Sequence, residues 1–150
     1  MSTGLGASSI APLYTESYAT YLAALTADAT SADDATARAS LPVQANNPVN
    51  GDANIRLKSA NGRAIGLATP GQLINIPGFC SFTGDGCIGI NEGLTTTGGG
   101  PFSMLAVVEH EIDEVLGFGS GIGKTQPWAE DLFRYSANGV RTTFAATGRR

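Results

Sequence analysis

Along the chain the apolar positions switch between helical and alternating spacing. Tyr18, Tyr21, Leu22 and Leu25 recur at i, i+3, i+4 and i+7, which is one face of a helix. Thr15 or Ser17 is placed to cap it. Ser31 followed three residues later by Asp34 has the form of a capping box with Asp in place of Glu. It predicts a second short helix that ends before Pro42. From Gln44 to Asp52 the Asn, Pro and Gly content predicts a loop. Asn54–Lys58 alternates and predicts a strand. A short helix is expected over 60–67, then strands at Gln72–Ile76 and 87–91, the latter with Ile88 and Ile90 on one face.

The longest periodic segment follows. Pro101 at its start and Gly117 at its end match the N-terminal Pro, C-terminal Gly asymmetry of helices. Leu105, Val108, Ile112 and Val115 supply the expected buried stripe. Val107, His110, Glu111 and Glu114 lie to one side of it, so the polar cluster borders the core. Gly117–Gly123 is expected to be a flexible loop, and 140–144 a last strand. The tail, 147–150, is expected to fray. No internal repeat or composition break divides the chain, which is read as one domain over 1–150.

Composition narrows the class. With 150 residues, 42% of them apolar, the chain is long enough to bury a core. Only 15% are charged and 20 are Gly, a mixture that leans towards a secreted or cell-surface domain. The net charge is −4, and its distribution says more than its sum. From Ala64 to Gly123 there is no Lys or Arg, while Asp85, Glu92, Glu109, Glu111, Asp113 and Glu114 lie there. Glu109 and Asp113 are a like-charge i,i+4 pair, a repulsion that a cation would relieve. A solvated acidic face is the plainer reading of such a helix. No basic stripe with interleaved aromatics points to nucleic acid. No segment approaches the roughly 20 apolar residues of a membrane span, and Met1–Leu13 lacks the basic region of a signal peptide. Cys80 and Cys87 flank a Gly-Asp-Gly turn. They form a disulfide across a hairpin if the protein is exported and remain two thiols if it is cytosolic.

The candidate chemistry sits in Glu109-His110-Glu111-Ile112-Asp113-Glu114-Val115-Leu116-Gly117, which contains the only histidine. On a helix His110 and Glu114 share a face one turn apart. That is the spacing of the first two ligands on a zinc-peptidase helix, with the residue after the first ligand as base. The segment resembles the zincin metallopeptidases. It is more closely similar to a group of bacterial exported metalloproteases, with Asp131-Leu132-Phe133-Arg134-Tyr135-Ser136 adding to the likeness. The resemblance runs from about Tyr18 to Arg141 and is strongest at the helix.

It implies an α+β, zincin-like fold: N-terminal helices and a small mixed β-sheet packed on a central active-site helix. It also implies a C-terminal subdomain, expected to be missing here. The implied activity is hydrolysis of a polypeptide substrate by a metal-activated water. His110 and Glu114 would be metal ligands, Glu111 the general base and Asp131 the third ligand, with Glu130 the other candidate for that place. Asp131 is equally read as a helix cap or as a partner of Arg134, and Tyr135 either as an oxyanion stabiliser or as core. Glu114 stands where the family has a second His, and Ser120 where one branch has a third. A carboxylate in that place adds negative charge, so Zn²⁺ is expected to bind more weakly and other divalent cations, Mn²⁺ or Ca²⁺, to be better tolerated. Two alternatives remain: a zincin-type fold that binds without catalysing, and a divalent-cation-binding protein with no hydrolytic role.

Two further patterns fail. Gly119–Thr125 looks like a phosphate loop, but Phe118 occupies the required first Gly position and the segment follows a helix. A serine triad would need His110 as its base, and His110 is committed to the helix.

Overall fold

The computed structural model describes residues 7–143. The tail over 147–150 and the end of the strand expected over 140–144 lie outside that range. The chain is α+β: the described residues form four α-helices and eight short strands that pair as four two-stranded antiparallel ribbons. Strand β1 (Ala7–Ile10) pairs with β6 (Cys87–Ile90), and β2 (Leu13–Ser17) with β3 (Asn54–Lys58). Strand β4 (Gln72–Ile76) pairs with β5 (Cys80–Gly84), and β7 (Tyr135–Ala137) with β8 (Val140–Arg141). The expected mixed sheet is therefore corrected. Among the described residues each strand pairs with one other, and parallel pairing is confined to isolated bridges such as Arg56–Trp128.

Helix α1 (Tyr18–Asp28) is capped by Ser17, whose side chain accepts from the Thr20 N–H. Its apolar stripe forms the core, as the spacing predicts: Tyr18, Tyr21 and Leu22 are buried with Leu41, Val49, Ile55, Leu57, Ala129 and Leu132. Helix α2 (Ala32–Ala39) opens on the Ser31–Asp34 capping box, and α3 (Ser59–Ala64) continues directly from β3.

Cys80 and Cys87 are joined by a disulfide, with Cα atoms 6.5 Å apart. The link does not close a hairpin, because β5 and β6 belong to different ribbons. It ties the β4–β5 ribbon to the β1–β6 ribbon, and the latter is the one packed against α4 (Met104–Leu116). Between the cysteines, Asp85 holds a two-pronged ion pair with Arg63 of α3, one N–O distance being 2.6 Å. That hydrogen bond holds the Asp85 carboxyl below its ordinary value. A depressed carboxylate contributes stability above its unfolded value of about 3.9 and loses it as pH falls through the folded value. Asp85→Asn should therefore cost about 0.5–1 kcal/mol at pH 7, since the pair is partly exposed. The difference from the parent chain should shrink once pH falls below the unfolded value of about 3.9. Urea melts at pH 7 and below that value check this, and a gap that persists undiminished at low pH would show that the charge pair is not its source.

Helix α4 begins at the Ser103 cap, two residues later than Pro101 suggested, and ends at Gly117, whose φ of +113° suits glycine. A Cβ there would also lie 2.9 Å from Asn61 Cβ. The helix is rolled relative to the expected stripe. Leu105 and Ile112 are 67% and 42% exposed, whereas Glu111 is the one buried residue of α4. Val107, Val108 and Val115 are half-buried on the inner side, with Val115 against Gly86. Helix α4 lies against β1 and β6, whose register pairs Ser8 with Gly89 and Ser9 with Ile88.

Candidate functional site

One turn of α4 brings two of the expected ligands together. His110 Nε2 lies 3.4 Å from Glu114 Oε1, with the His110 side chain 69% exposed and that of Glu114 45% exposed. An imidazole nitrogen and a carboxylate oxygen thus converge at the surface, open to solvent. Glu111, between them in sequence, turns inward. It is 7% exposed, and its Oε2 is buried with no hydrogen-bond partner. Unpartnered buried carboxylate oxygens are uncommon, because each lost hydrogen bond costs about 1–3 kcal/mol.

Asp131 is not brought to this pair. It lies in a 3₁₀ turn (Ala129–Phe133) and is fully buried. Its Oδ1 accepts from Ser120 Oγ at 2.7 Å, and its Oδ2 accepts from the Gly121 and Trp128 N–H groups at 2.7 and 2.9 Å. Arg134 stands 3.5 Å away and donates to Ser120 Oγ at 2.7 Å. Both readings weighed beside the ligand role are present: Asp131 caps the 3₁₀ turn by accepting the Trp128 N–H, and it partners Arg134. Glu130 Oε2 accepts the Gly119 N–H at 2.6 Å. Both carboxylates therefore hold the segment after α4, which is tied down where a flexible loop was expected. The same contacts use the Gly119 and Gly121 N–H groups that a phosphate would need. Tyr135 is not core. It is 41% exposed on β7 and its hydroxyl accepts from Arg141 at 2.7 Å.

Sequence reasoning missed the far side of Glu114. Lys58 of β3 and Lys124 lie 5.1 and 5.5 Å from the Trp128 ring centre, within cation–π range. Burial pulls the Lys58 ammonium below its ordinary value, with Glu114 pushing it back up and Lys124 adding to the fall. The two lysines all but bracket the cation-free interval of the sequence, and that was the available signal. A second missed group is Asn61 of α3, whose Oδ1 is buried without a partner beside Gly117.

As a cation site the donors fit in part. An imidazole and a carboxylate at i and i+4 suit a divalent ion, and the orphaned Glu111 oxygen lies on the same turn. Among the described residues no three His, Cys, Asp or Glu side chains form a group able to hold a metal ion, so the three-ligand arrangement of catalytic zinc is not assembled. Among the same residues no helix is long and apolar enough to cross a membrane. Compared with protein-family models, curated proteins and solved structures, the chain matches none.

Proposed function

We propose that the chain is a zincin-type, metal-dependent peptidase domain with a two-residue cation site, His110 and Glu114, and Glu111 as general base. The observation that carries this reading is the convergence of His110 and Glu114 within 3.4 Å on an exposed turn of α4. The buried, unpartnered Glu111 oxygen supports it, because an acceptor left without a donor suits a group that takes a proton during a reaction. A bound divalent ion would supply Lewis acidity towards a peptide carbonyl or water. Glu114, adding negative charge where a neutral imidazole is usual, would weaken that acidity. His110 and Glu114 would hold the ion, and Glu111 would take the proton. The disulfide, together with the compositional lean, supports an exported setting.

A second reading, a fold of this type that binds without catalysing, is favoured by one observation: the Lys58 ammonium already lies near enough to influence Glu114 and competes with a metal ion.

Metal content of protein purified without chelator tests the first reading. About one equivalent of Zn²⁺ or Mn²⁺ is expected, lost in His110→Ala. Glu114→His is expected to raise Zn²⁺ affinity by at least tenfold, measured by competition with a chromophoric chelator. Less than a tenth of an equivalent of any divalent ion would end the metal readings. No gain in the Glu114→His variant would show that the two side chains do not act on one ion.

A further inference from the structure

A small cavity of about 180 Å³ opens at the C-terminal end of α4. It begins at Gly117, seven residues and roughly 10 Å along the helix from His110. This volume is below the ~300 Å³ of whole-ligand pockets, so it has room for one side chain. Tyr21, Phe118 and Phe133 give it aromatic walls, and its polar residues are Asn61 and Glu130. The Asn61 Oδ1 is an acceptor without a donor. The Glu130 carboxylate is fixed in place by the Gly119 N–H. No lining residue is Lys or Arg. Aromatic faces attract cations through their quadrupole, and a carboxylate with an orphaned acceptor calls for a charged donor.

We propose that this cavity is a subsite for the basic side chain, lysine or arginine, of a polypeptide. It rests on the peptidase reading for its place in a substrate but not for its chemistry. The aliphatic stem packs on Phe118 and Phe133, and the cationic head meets Glu130 and Asn61. Phe118, 61% exposed, forms the rim through which the side chain enters. The net charge of −4 favours the approach of a cation to the chain.

The test separates this subsite from catalysis. Chelator-treated Glu111→Gln protein is titrated with N-acetyl-lysine methylamide and with its uncharged norleucine counterpart, following the backbone amides of Gly117 and Phe118 by NMR. The lysine probe should saturate at millimolar concentration and bind at least tenfold tighter than norleucine. Glu130→Gln keeps an acceptor for the Gly119 N–H but removes the charge, and should weaken the lysine probe by about tenfold. Asn61→Asp should tighten it, and Phe118→Ala should weaken both probes. Equal binding of the two probes, no effect of Glu130→Gln in a folded variant, or no saturable binding would each overturn the subsite. Cleavage of peptides with no preference for basic residues would likewise remove the subsite and leave the peptidase reading standing. Lysine binding without any cleavage in the parent protein would do the reverse.

Discussion

Asp131→Ala is expected to lower the unfolding free energy by about 3–5 kcal/mol, the scale for dismantling a buried charged network. The carboxylate is fully buried and accepts three hydrogen bonds, from Ser120 Oγ and the Gly121 and Trp128 N–H groups. Its removal strands two backbone donors and leaves Arg134 with Ser120 alone. Asp131→Asn should cost nearly as much, because one oxygen becomes an amide donor facing an N–H or O–H group. Urea melts of chelator-treated protein, with the disulfide intact, measure the effect. The same variants distinguish the two roles weighed for this residue. A third metal ligand would be dispensable to the metal-free protein and its loss would abolish metal binding. A loop-holding residue destabilises the metal-free protein and leaves whatever His110 and Glu114 bind unchanged. A loss below about 1 kcal/mol would contradict the hydrogen-bond network as the organiser of this loop.

Asp131 also shows where reading the sequence stops. Both roles use the lone pairs of one carboxylate, and which donors arrive is decided by a segment ten residues earlier that folds back onto it. Helix α1 was legible because its four apolar positions state a periodicity and Ser17 states a cap, both local facts. The strand pairings were not. Strand β2 meets β3 about forty residues on, and β1 meets β6 about eighty residues on. Neither β1 nor β2 alternates strongly enough to announce itself. The end of α4 was legible from Gly117, but its inward face was not. Leu105, Ile112 and Leu116 make as good a stripe as the half-buried valines, and only the tertiary contacts with β1 and β6 choose between them. The His110–Glu114 pair was legible since i,i+4 geometry follows from the helix alone. Lys58 lies on β3, far along the chain from the segment that carries Lys124 and Trp128, and nothing local predicted that they meet.

Glu111 is the residue on which stability and proposed activity should move in opposite directions. A helix with several exposed apolar side chains buries a carboxyl group instead, and one of its oxygens has no donor. Replacing Glu111 with Met keeps the side-chain length, removes the unsatisfied acceptor and adds apolar contact with the inner face of α4. The metal-free variant should gain about 1–2 kcal/mol in urea melts, the scale of relieving an unpaired buried polar group. Glu111→Gln should leave the fold near its parent stability. If the peptidase reading holds, it should reduce kcat/KM by about 10²–10⁴ while retaining metal, as expected when a general base is lost. The two variants together decide the matter. A Met variant that is both more stable and inactive means that the chain keeps Glu111 for chemistry at the expense of its fold. A Met variant that loses stability means that Glu111 is held by partners the fold requires, and the base role falls with it. A Gln variant with full activity would assign the proton to another group, whatever the melts show.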